Sequence, residues 1–380
     1  MTYSNAKGKA ALCHFSFLLV ILFFLHSCST DSVRDIVMED ALTDDMDNPI
    51  EDPLDENGDT EELEAPETGI ISFEDGFLLD EDRRLASLVL SQSEYNAFIA
   101  GEGDLKLVSE KAYQYLKDDF DFLIILSVEA TQPPELFYGR STGVQNAVTG
   151  LGSGTYNNSS AYGSTERLKS IIYMPRSEYI KTGPFLHEIA HTWGNKGFIP
   201  TTVGGHWGYA STAGQLGGFD QLEELGGNSY RGQLNGGNGF GTFANGGNSV
   251  PYGNLELYLM GLISAEELES IQVAVNPETG SSAGEFTADS ITTYTAAGLI
   301  AEHGERVPSH ANSQKTFKAL TVIISMEALS AEKISAINTD LENFSRTSAP
   351  DSNWGSSNNF WSATQGMASF DFSISQESVK

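Results

Sequence analysis

The stretch His187-Glu188-Ile189-Ala190-His191 limits what this chain can fold into more than any other feature. Residues four apart lie one helical turn apart on one face, so on a helix both imidazoles point the same way. The flanks suit such a helix. Gly183 and Pro184 fit a cap and a first helical position, and Gly194 fits the left-handed residue that closes a helix. Phe185, Leu186, Ile189 and Ala190 demand that this helix be buried. Ahead of it, residues 168–175 (LKSIIYMP) read as a β-branched strand. A strand feeding a buried helix sets the expectation of an α+β fold with a mixed sheet.

The rest of the chain extends that pattern. Residues 70–107 hold short apolar runs separated by charged residues. Over 109–120 the helical spacing places Ala112, Tyr115, Leu116 and Phe120 on one face behind Ser109 as N-cap. Residues 121–129 read as a buried strand ended by Pro133-Pro134. Between Gly226 and Asn248 the tripeptide Gly-Gly-Asn recurs three times, which predicts glycine-supported hairpin turns and loops. Further on, 252–263 and 330–344 read as helices, and 318–325 and 367–375 as strands. No break in composition divides this region. One domain over 69–380 is expected, with 69–120 as an N-terminal subregion whose masking of the cleft the sequence leaves open.

The first residues carry different signals. Lys7 and Lys9 precede an apolar run over 10–25 that falls short of the roughly 20 residues a membrane span needs. The run ends in Leu25-His26-Ser27-Cys28, which resembles a bacterial lipobox. Residues 1–27 are therefore expected to be an export signal, with Cys28 lipidated and the protein anchored to a bacterial outer membrane or cell surface. Between Ser29 and Thr68 sixteen Asp and Glu stand against the single basic Arg34. Such a stretch cannot bury enough apolar surface to offset its ordering entropy, so 28–68 reads as a disordered tether. The net charge of -31 argues against a nucleic-acid partner. Both cysteines, Cys13 and Cys28, precede the folded region, so no disulfide can form beyond them.

What could the helix at 187–191 do? Two imidazoles on successive turns can share one zinc ion at Zn–N distances of about 2.0–2.1 Å. Glu188 would sit beside that ion without binding it and take a proton from water there, as general base. With seven histidines in the chain, the pattern arises by chance about once per hundred such sequences. A hydrolytic zinc takes three protein ligands and keeps one open position. His206 is the nearest candidate for the third ligand, and Glu256, on the helix read over 252–263, is the rival. Asp220, Glu223 and Glu224 offer hard oxygen ligands for Ca2+, although their spacing is not that of an EF-hand loop. His303 and His310 read as surface residues. A peptide strand would lie along an edge strand, with 168–175 as the candidate.

As far as Gly194, the run HEIAHTWG is similar to the metzincin pattern of zinc peptidases, but that family's third-ligand position falls here on Gly197. Taken together, the loop 150–174, the HExxH helix, the His206-Trp207 pair, LELYLMGL over 255–262 and NFWSATQGMASFD over 359–371 resemble a group of exported bacterial zinc metalloproteins. This resemblance covers roughly 120–375 and implies a zincin-like fold with peptidase chemistry on a peptide or protein substrate. It also suggests Met260 as a methionine beneath the metal, with Tyr252 and Tyr258 as oxyanion donors. The alternative is a surface-binding lipoprotein that keeps the scaffold and metal without turnover.

Overall fold

A computed structural model describes residues 69–380. The export signal, Cys28 and the acidic tether lie outside the described residues. Among those described, no helix is long and apolar enough to cross a membrane.

The centre is a mixed sheet flanked by helices. Its strands are β1 (Ile71–Ser72), β2 (Phe77–Leu79), β3 (Leu85–Val89), β4 (Phe122–Leu126), β5 (Arg140–Gly143), β6 (Ser170–Met174), β7 (Thr316–Ser325) and β8 (Ser369–Asp371). The order across the sheet is β1-β2-β3-β7-β4-β6-β5, and β8 pairs with the start of β7. Strands β3, β7, β4 and β6 run parallel, whereas β5 runs antiparallel to β6.

The continuous apolar runs of the parallel strands follow from cover on both faces. Phe122, Ile124 and Leu126 of β4 pack on one side with Ile172 and Met174. Leu123 and Ile125 pack on the other with Ile171 and Tyr173. The first side carries α3 (Phe185–Ala190), α4 (Asn254–Met260) and α5 (Ala331–Ser345). The second carries α1 (Gln92–Ile99) and α2 (Leu105–Tyr115).

Several expectations need correction. Residues 69–120 do not mask the helix of the histidines: their strands join the central sheet, and α1 and α2 cover its opposite face. Helix α2 begins at Leu105 behind the N-cap Asp104, because the apolar Leu105, Leu107 and Val108 continue its period. Ser109 thus lies inside the helix, its hydroxyl donating to the Lys106 carbonyl. Strand β6 is not an edge. It is paired on both sides, and the edge is the polar β5.

The Gly-Gly-Asn repeats do form turns. Gln221–Gly226 and Ser229–Leu234 make an antiparallel hairpin around Gly227-Asn228, and Leu234 pairs back onto Gly237 around Asn235-Gly236. Gly227, Asn228, Asn235 and Gly236 all take positive φ there.

Candidate metal centre

Helix α3 follows β6 after residues 175–184, which hold a single helical turn over Tyr179–Thr182, and is buried along its whole length. It is shorter than the flanking residues suggest. After Ala190 the chain tightens: Trp193 and Gly194 both donate to the Ala190 carbonyl. The left-handed position falls on Asn195, at φ 56°, and not on Gly194. Gly194 is needed for another reason, since a Cβ there would lie 2.4 Å from Leu216 Cδ1.

His187 stands within α3 and His191 caps it. Their Nε2 atoms lie 3.1 Å apart. His206 arrives from a tight turn over Val203-Gly204-Gly205-His206, in which His206 N–H donates to Val203 O at 2.6 Å and Gly205 takes φ 78°. The Asn195 side chain donates to the Gly205 carbonyl and ties this turn to the end of α3. His206 Nε2 then lies 3.1 Å from His187 Nε2. Among the described residues, these three histidines form the group of ligating side chains close enough to hold one ion.

Second bonds fix which nitrogen faces the shared point. His187 Nδ1–H donates to Gln215 O at 2.7 Å, and His206 Nδ1–H donates to Gly204 O at 3.0 Å. Each ring therefore turns an Nε2 lone pair inward, the arrangement by which a metal-bound histidine is oriented. A tetrahedral ion with Zn–N near 2.05 Å would set ligand nitrogens about 3.3 Å apart, close to the spacing seen. Two inward lone pairs, with the Nε2 of His191 3.1 Å from that of His187, make a donor set that fits a divalent metal. Imidazole ligands suit zinc and its first-row neighbours. Burial pushes His187 down to about 4 and His191 to about 2, the latter also opposed by the charges of His187, His206 and Lys196. It lowers His206 as well. The rings are thus neutral and able to ligate at any ordinary pH.

Glu188 lies in the same cleft as the three histidines. It is 5 % exposed, pressed between α3 and the edge strand β5. A Cβ at Gly139 would come within 2.6 Å of its Oε1, so only glycine leaves the carboxylate this place. Burial raises Glu188 to about 8, opposed by the backbone N–H of Ser141. A cation nearby would favour its charged form.

Glu256 is not a ligand. Its carboxylate accepts three backbone N–H groups, from Gln215 at 3.0 Å, Leu216 at 2.8 Å and Gly253 at 2.9 Å. Since Gln215 O in turn holds His187 Nδ1, Glu256 supports the loop that orients a ligand. Tyr252 is buried and donates to the Leu186 carbonyl, and Tyr258 packs on Phe198 with ring centroids 5.6 Å apart. Neither lines the cleft. Met260 lies in the core, its carbonyl accepts from Arg306, and it does not line the cleft either. The calcium expectation also fails on geometry: Asp220 accepts from Asn235 N–H, Glu223 pairs with Arg231, and the adjacent Glu224 alternates to the other face of its strand. His310 is exposed as expected, whereas His303 is half-buried against the Phe198 carbonyl at 3.0 Å.

The sequence reading missed β5, Gly139, Asn195, Gln215 and Lys196. Gln215 acts through a backbone carbonyl and carries no sequence signal, Gly139 stands far from any motif, and Lys196, five residues past His191, carries no ligand chemistry that would mark it. No family model, curated protein or solved structure matches the chain.

Proposed function

We propose that this protein is an exported zinc hydrolase of peptide bonds with a zincin-like domain, His187, His191 and His206 holding the ion and Glu188 serving as general base. The observation that carries the reading is the placement of Glu188 in an open cleft with three inward-facing imidazoles, beside an unpaired strand edge. A binding module has no need of a buried carboxylate at that point.

A zinc ion held there supplies Lewis-acid polarisation of a carbonyl and lowers the pKa of water. The chain's own residues supply the rest. Glu188 takes the proton from the attacking water and returns it to the leaving amine. Ser141 N–H and the packing of Gly139 keep its carboxylate aimed into the cleft. A substrate segment in extended form adds to the free side of β5, which pairs only with β6 among the described residues. The substrate then lies across the mouth of the cleft, with its backbone held by strand hydrogen bonds. Lipid attachment at Cys28 would place the domain at a membrane surface on an acidic tether.

The test is Glu188→Gln, which keeps size and hydrogen bonding but removes the base. Zinc content should stay at one per chain while cleavage of a mixed peptide library falls by a factor of about 10²–10⁴. Equal activity of variant and wild type would exclude Glu188 as base. Equal inertness of both on broad substrates would favour the surface-binding alternative.

A further inference from the structure

The cleft contains a cation that the hydrolytic reading does not use. Lys196 lines it together with the histidines, whereas Arg140 at its border turns its guanidinium to the other face of the sheet, 5.9 Å from the centre of the Phe137 ring, and Glu188 is the one carboxylate among the lining residues. In a chain of net charge -31 this is an unexpected place for unpaired positive charge. The ion pairs formed among the described residues do not involve Lys196.

Lys196 is also held in position. It follows His191 by five residues on the turn past α3, half-buried, with its ammonium 5.5 Å from the centre of the Tyr156 ring. Tyr156 is fixed in turn, because its hydroxyl packs so close to Gly143 that a Cβ there would lie 2.4 Å away. The Lys196 head is thus tied to the Gly143 end of β5. A peptide laid along β5 would run past it.

We infer that the site selects substrates carrying a carboxylate close to the scissile bond, with Lys196 as the group that receives it. This inference rests on the hydrolase reading for the word substrate. The carboxylate contact itself depends only on the cleft. A half-buried ammonium stacked on an aromatic ring, with no protein acceptor among the described residues, keeps its donors for a ligand, and a charge-assisted bond there discriminates against the uncharged isostere by about tenfold or more. The carboxylate can come from an Asp or Glu side chain or from a free C-terminus.

The experiment uses pairs of peptides that differ only by Glu or Gln at each position around the bond, and a further pair with free or amidated C-terminus. Binding is measured by calorimetry on zinc-loaded Glu188→Gln protein, and cleavage on wild type. The Glu member of one pair, or the free-acid member of the terminal pair, should bind at least tenfold tighter. Lys196→Met, which keeps the stem over Tyr156, should abolish that ratio mainly through KM, and Lys196→Arg should restore part of it. The pair that shows the ratio identifies the source of the carboxylate. Equal binding within every pair, or a ratio that survives Lys196→Met, overturns the inference. Discrimination in binding without cleavage by wild type would leave the carboxylate site standing and remove the hydrolase. Cleavage without discrimination would do the reverse.

Discussion

Glu256→Gln is the most informative perturbation of the metal centre, because it separates a ligand from a residue that holds a ligand's support. In the native protein Oε2 accepts Gln215 N–H and Gly253 N–H, and Oε1 accepts Leu216 N–H. A glutamine can turn its single oxygen toward the first pair. Its amide nitrogen then faces the Leu216 donor, leaving one buried N–H unpaired at a cost of about 1–3 kcal/mol. That corresponds to a Tm lower by roughly 2–4 °C per kcal/mol in the metal-free protein. The loss falls next to Gln215, whose carbonyl holds His187 Nδ1 at 2.7 Å. Outer partners of metal-bound histidines typically change affinity by about 10–100-fold. Competition with a chromophoric chelator should show a shift of that size, with the ion still bound at saturation. If the variant lost zinc as completely as His206→Ala, Glu256 would be a ligand after all. No change in either Tm or affinity would refute the relay through Gln215.

Three further outcomes follow from the same geometry. His187→Ala, His191→Ala and His206→Ala should each leave less than a tenth of the wild-type zinc by elemental analysis after dialysis, and near-stoichiometric metal in any one would remove that residue from the set. Gly139→Ala should keep the zinc yet lower peptide cleavage, since its Cβ meets Glu188 Oε1 at 2.6 Å and must displace the base; undiminished activity would show that the carboxylate is not held by this contact. In the metal-free fold the buried histidines should cost stability in acid. Unfolded histidines take a proton near pH 6.5, whereas in the fold His187 does so near 4 and His191 near 2. Between those limits each of these histidines binds more protons in the unfolded chain and so withdraws stability as pH drops from 7 toward 4, while Glu188 and Glu256, raised to about 8 and about 7 in the fold, contribute in the opposite direction. The histidine part is read as a difference: on acidification from pH 7 to 4 the urea midpoint of chelator-treated wild type should change less favourably than that of His191→Ala, and identical slopes would contradict it.

By itself the sequence determined the local part of this site. The four-residue spacing of His187 and His191 requires only that one helical turn form, and burial of α3 follows from its apolar residues. The central strands were legible for a similar reason: runs such as 121–129 and 318–325 are apolar on both faces because helices cover both. His206 could be named as the nearest histidine, but its place depends on a glycine turn and on Asn195 reaching the Gly205 carbonyl. Tertiary structure alone decided the rest. Which strand is the edge depends on partners distant in the chain, and β5 holds that place because it turns back antiparallel onto β6. Glu256 illustrates the difference most clearly. Its spacing on a helix allowed it to be a ligand, and only the fold, by surrounding it with three backbone donors, made it a support instead. A sequence records which groups are present and how they repeat along the chain, but the direction a carboxylate faces is settled by whichever amide donors packing brings to it.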